Sequence, residues 1–136
     1  MHRLEGLAAV AEEGAAGRSR RLTLIGAPIE AGAGVLGCAM GPAMLRTAGI
    51  VTALAALGCE VVDRGDLKLE EPFPPLAKPD GLARNFDEVS AWARALSRAT
   101  RTALREGGTP LVLGGDHSLA MGSLSGVALH AADAGR

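Results

Sequence analysis

A chain of 136 residues has room for one domain, and 48% hydrophobic content with a net charge of −1 describes an ordinary globular protein. The near balance of 14 basic and 15 acidic residues leaves no concentrated basic patch for nucleic-acid phosphates. With 2% aromatic residues there are few platforms on which bases could stack, so the core must be built from Ala, Leu, Val and Ile.

Residues 1 to 20 mix Gly, Ala, Glu and Arg without a clear period and are expected to form a flexible extension, although a short helix from Leu4 to Glu13 is compatible with them. The apolar stretch from Leu7 to Ala11 is too short to span a bilayer, and Glu12 and Glu13 follow where a signal peptide has small neutral residues. No targeting segment and no membrane partner are expected. Cys38 and Cys59 are far apart and form no CxxC pair, so the default is a reducing, cytoplasmic setting without a zinc knuckle or disulfide framework.

Arg21 to Ile25 is a compact β-prone run ended by Gly26 and Pro28, and is the first expected strand. From Ile29 to Gly41 the glycines at 32, 34, 37 and 41 and the lack of an apolar period predict a long loop leaving that strand's carboxyl end. Pro42 suits the first position of a helix, in which Met44, Leu45, Ala48, Val51, Leu54 and Leu57 keep helical spacing until Gly58. Gly49 weakens this helix slightly. Cys59 to Asp63 gives a second strand, followed by a turn over Arg64 to Leu67, and a helical crossover makes the first two strands parallel.

Prolines at 72, 74, 75 and 79 block helix and central strand alike, so Lys68 to Gly81 is expected to be a surface connection. Asn85, Phe86, Asp87 and Glu88 form a capping-box pattern that opens a helix running to about Glu106. Its apolar face carries Val89, Trp92, Ala93, Leu96, Ala99, Ala103 and Leu104. Arg98, Arg101 and Arg105 lie toward the negative end of the dipole and read as a solvated face. Gly107 and Gly108 end the helix, Pro110 starts a third strand, and a last helix is expected from Ser118 to about His130. The whole reads as an α/β fold: a three-layer α/β/α arrangement around a parallel sheet with three strands in this chain.

The third strand, Leu111 to Leu113, stops at Gly114 and Gly115 and presents Asp116, His117 and Ser118. His117 therefore stands beyond the carboxyl end of a parallel strand, where open α/β sheets place their ligand sites. It is a candidate metal ligand; a histidine in a loop or near a helix start is the bland alternative. His130, near the end of the last helix, receives no catalytic role.

The segment from Leu113 to Gly126, LGGDHSLAMGSLSG, resembles the first signature of the ureohydrolases, and within them the arginases. The likeness extends in order and spacing through Ile25 to Pro28, Gly37, Gly41 to Ile50 and Asp63 to Leu67, so that it covers about Leu22 to Gly126. It implies that residues 21 to 136 are the amino-terminal part of a single arginase-like α/β domain. It also implies two Mn2+ ions in the complete enzyme, with His117 a ligand of one, and hydrolysis of L-arginine to L-ornithine and urea.

Asp116 is not carried over as a ligand; a turn-forming or ligand-orienting role is open to it. No catalytic and no cofactor-binding residue is assigned within this chain. The family's later ligands, in an Asp-Ala-His-x-Asp and an Asp-x-Asp segment, do not occur in it, and the chain alone is therefore expected to be inactive. The expected partner is a guanidino substrate such as arginine, with no nucleic acid, and the complete protein is expected to be a homo-oligomer. An agmatinase-like guanidino hydrolase is the nearest alternative, and a naturally short non-catalytic homologue is another.

A dinucleotide-binding module also competes, because Gly32, Gly34 and Gly37 match GxGxxG and Asp63 ends the second strand. In such a site the first glycine follows the strand directly and the helix begins within the motif. Here Gly32 stands well beyond Ile25, and Pro42 well beyond Gly37.

Overall fold

The computed structural model describes residues 20–69 and 85–135. The expected amino-terminal extension and the proline-rich connection lie outside them, apart from Arg20 and residues 68–69. Three strands, β1 (Arg21–Ala27), β2 (Glu60–Asp66) and β3 (Thr109–Gly114), form one parallel sheet in the order β2-β1-β3. The fold class is the α/β arrangement read from the sequence.

Placing β1 in the middle explains its composition. Leu24 and Ile25 are consecutive residues that point to opposite faces, yet both are fully buried, as expected of a parallel strand covered on both sides. Ile25 and Ala27 pack with Leu96 and Ala103 of α3 (Phe86–Arg105), and Trp92 lies against the same cluster as a packing residue. On the other face, Gly26 lies beneath Arg46 of α1 (Gly41–Thr47).

The single helix expected after the long loop is two. α1 stops at Thr47, and α2 (Ile50–Ala56) begins after Gly49, which takes φ +87°. A left-handed residue ends one helix and redirects the next, so Gly49 breaks the element instead of merely weakening it. The second strand also runs further than expected, to Asp66, with a register irregularity between the pairs Leu24–Asp63 and Gly26–Asp66 and with Gly65 at φ +73°.

Arg46 binds both ends of the added stretch, Asp63 and Asp66. Its guanidinium donates to both carboxylate oxygens of Asp63, at 2.8 and 3.0 Å, and to Asp66 Oδ1. The three side chains lie over Gly26, where a Cβ atom would come within 1.8 Å of Asp66 Oδ1. Hydrogen bonding to Arg46 holds the Asp63 carboxyl below its ordinary value of 3.8 and raises the Arg46 guanidinium still further above its own.

The capping box expected at Asn85 does not form. Asn85 adopts φ +47° and caps nothing with its side chain; its amide donates instead to the Ala31 carbonyl at 2.8 Å. α3 is followed, after β3, by α4 (Leu119–Asp133), which starts one residue later and ends later than expected. Gly122 and Gly126 allow α4 to lie almost backbone to backbone on α3, since Cβ atoms there would meet the Ala93 and Ser97 carbonyls at 2.7 and 2.6 Å. Arg101 and Arg105, read as a solvated face, both pair with Asp133 and tie the two helices together.

Gly126→Leu should lower the thermal midpoint by forcing α3 and α4 apart, a loss of about 1–3 kcal/mol measured by chemical unfolding. Arg46→Ala should remove about 1–2 kcal/mol, more than a fully exposed pair because the contact is bidentate and half-buried. Because Asp63 titrates lower in the folded chain than in the unfolded one, its contribution is complete above pH 3.8 and fades as the pH falls through the folded-state value. Unfolding curves recorded down that pH range should therefore converge for the wild-type chain and Arg46→Ala.

Candidate functional site

All three strands end at one edge of the sheet. The parallel register sets Ala27 beside Gly114 and Gly26 beside Asp66, so the chain leaves β1, β2 and β3 at the same level. Open parallel sheets bind ligands at this carboxyl edge. Two connections meet there: the long segment after β1 and the short one carrying Asp116 and His117 after β3.

These connections touch through backbone. Gly115 N–H donates to the Ala27 carbonyl at 3.3 Å, and Asp116 N–H to the Ile29 carbonyl at 2.9 Å. A Cβ atom on Gly115 would stand 1.8 Å from the Ile29 oxygen, so no side chain fits at this crossing. The second glycine of the pair is therefore needed for close approach. Gly41, at the start of α1, has a similar duty, since its Cβ would meet the Gly114 carbonyl at 2.2 Å.

Asp116 adds a side-chain link to this backbone crossing. Its Oδ1 accepts the Ser118 N–H at 2.8 Å, closing a tight turn around His117, and its Oδ2 accepts the Gly32 N–H at 2.8 Å. The turn-forming role open to Asp116 is thus filled. His117 is the middle residue of that turn; its carbonyl accepts the Ala120 N–H at 3.1 Å in the first turn of α4, while its side chain is exposed. The imidazole is presented to solvent from a fixed backbone.

The long segment after β1 is organised by Glu30, to which sequence reasoning gave no role, and by Asn85, which it read as a helix cap. Glu30 Oε2 accepts the Gly37 N–H at 2.9 Å and the Ala39 N–H at 3.4 Å, and Asn85 holds the Ala31 carbonyl. Glu30 left a faint signal as the sole charged residue between Ile29 and Gly41. The same bonds count against a dinucleotide site. Amides of Gly32 and Gly37 that would have to meet a pyrophosphate already face carboxylates of the chain itself, and Asp63 is engaged by Arg46.

A family model described as the arginase family matches residues 20–135. The chain belongs to the arginase family. It is 40% identical over 113 residues to the arginase of Agrobacterium fabrum, covering 83% of this chain and 35% of that protein. With the Staphylococcus aureus arginase it shares 37% over 117 residues, covering 83% of this chain and 38% of that one.

Solved arginases share the fold. The Bacillus caldovelox structure superposes with a TM-score of 0.71 at 35% identity, over 82% of this chain and 37% of that one. For the Bacillus cereus arginase the TM-score is 0.70 at 35% identity, over 82% and 36%. The arginase-family chain thus spans little more than a third of the length of these relatives.

The donor set can be compared with what a metal ion needs. An imidazole is a nitrogen donor that Mn2+ accepts, and His117 offers one at the ligand-binding edge of the sheet. Among the described residues no group of three or more His, Cys, Asp or Glu side chains is placed to hold a metal ion. His117 thus offers one nitrogen donor at the carboxyl edge, and the described residues do not by themselves compose a metal centre. The Gly115 crossing sets where the His117 turn lies. Gly115→Ala should separate the two connections, and a drop of about 1–3 kcal/mol in unfolding free energy is expected from denaturant titration.

Proposed function

We propose that this chain is the amino-terminal part of a manganese-dependent arginase that hydrolyses L-arginine to L-ornithine and urea. The observation that carries the reading is the position of His117: an exposed imidazole held on a fixed turn at the carboxyl edge of an arginase-family sheet.

The reaction adds water across a guanidinium carbon and releases urea, leaving the ornithine amine. That carbon is a weak electrophile, and what bound Mn2+ supplies is activation of water near neutral pH. Within this chain His117 would be a ligand, and Asp116 would hold the turn that presents it. Gly115 and the Ile29 carbonyl set the distance between the two connections at the sheet edge.

The described surface supports a role as part of a larger body. The face of α4 that carries Gly122 and Gly126 lies on α3, yet Met121, Leu124, Val127 and Leu129 on its other sides are exposed. A helix that is apolar all round belongs to the interior of a larger protein. β3 likewise stands at the sheet edge, with a strand partner on one side alone among the described residues. An unpaired parallel edge beside an apolar helix favours association.

A purified 136-residue chain supplied with L-arginine and Mn2+ should release no urea, whereas a chain continuing through the family's later ligand segments should do so. In the longer chain, His117→Ala should reduce Mn2+-dependent urea release by at least about tenfold. Urea release by the 136-residue chain alone, or unchanged release by the His117→Ala form, would overturn the proposal.

A further inference from the structure

Resting on His117 as a metal ligand, we propose that Asp116 is a positioning residue: its carboxylate ties the His117 turn to Gly32 and so sets where the imidazole stands.

The geometry separates two duties of one carboxylate. The Oδ1 bond to Ser118 N–H is local and shapes the turn. The Oδ2 bond to Gly32 N–H joins positions 84 residues apart in sequence and anchors that turn to the segment after β1. An ionised acceptor makes both bonds stronger than a neutral one would, and each oxygen is already committed to a backbone donor.

The fit at Gly32 is close from the other side as well. A Cβ atom there would lie 3.1 Å from Ser118 Cβ and 3.2 Å from both Asp116 oxygens. Gly32 thus brings its N–H to the carboxylate without a side chain intervening. The segment it belongs to is held independently, by Asn85 on the Ala31 carbonyl and by the Glu30 carboxylate on the Gly37 and Ala39 N–H groups. His117 is consequently braced against a fixed support. Without the carboxylate the turn would be fastened by the Gly115 and Asp116 N–H bonds alone, and ligands held by outer hydrogen bonds bind metal more tightly than loosely held ones.

The experiment uses a chain continued through the family's later ligand segments and Mn2+ alone, with NMR observation of the His117 ring and of backbone amide exchange. Asp116→Ala removes both bonds. Gly32→Pro removes the Gly32 N–H and sets a ring against the Asp116 oxygens, so that the tie is broken while the carboxylate and its bond to Ser118 N–H remain available. Both variants should raise the Mn2+ concentration that half-broadens the His117 ring signals, by about tenfold.

In Asp116→Ala the Gly32 and Ser118 amides should also exchange at least about tenfold faster, while the Leu24 and Ile25 amides of β1 keep their protection and show that the fold is intact. Asp116→Asn, which retains one acceptor oxygen, should fall between wild type and Asp116→Ala. An unchanged His117 response in both variants would overturn the proposal. A response weakened by Asp116→Ala but not by Gly32→Pro would also overturn it, because the carboxylate would then act without the tie. If the wild-type ring does not respond to Mn2+ at all, the metal-ligand reading fails instead, and the tie is decided by the Gly32 and Ser118 exchange rates.

Discussion

The carboxyl edge of the sheet depends on one close crossing, that of the segment after β1 over the turn after β3. Gly115 makes it sterically admissible, because the Ile29 carbonyl occupies the space a Cβ atom would need. Two backbone hydrogen bonds and the Asp116 carboxylate then fasten it. Strand order makes this crossing available in the first place. With β1 between β2 and β3, and with Ala27 level with Gly114, the two connections emerge side by side.

A second constraint works on the other side of β1. Arg46 reaches across from α1 to Asp63 and Asp66 and binds helix to strand through charge where a hydrophobic contact would serve elsewhere. Gly26 makes room for it. The central strand therefore has two faces of different character: an apolar one against α3 and, near its carboxyl end, one roofed by an ion-pair network. Both faces hold β1 by contacts close to its carboxyl end, from which the segment that meets the His117 turn departs.

Described residues also show how a chain of this length meets solvent. No single helix among them is long and apolar enough to cross a membrane. The exposed apolar side chains of α4 instead lie opposite a helix–helix contact built from glycines. Such a surface has a physical account if further protein covers it, and the relatives, of which this chain spans little more than a third, are long enough to do so.

The amino-acid sequence by itself determined the three strands, the long helix α3 and the position of His117. Each has a local signature: β-prone runs bounded by glycine and proline, a helical period of apolar residues, and a histidine placed just past a strand. The arginase likeness was legible too, in short segments whose order survives in the family match. Tertiary structure alone decided which polar groups find one another. Gly49 could be tolerated within a helix or could end one, and the choice fell with the packing of α1 and α2. Asn85 has the sequence of a cap but lies beside the Ala31 carbonyl, and Asp66, within the turn expected over Arg64 to Leu67, belongs to β2 and pairs with Arg46. Periodicity records which face of an element is buried. It carries no information about a donor 84 residues away, and the bond between Gly32 and Asp116 exists because β1 and β3 are neighbours.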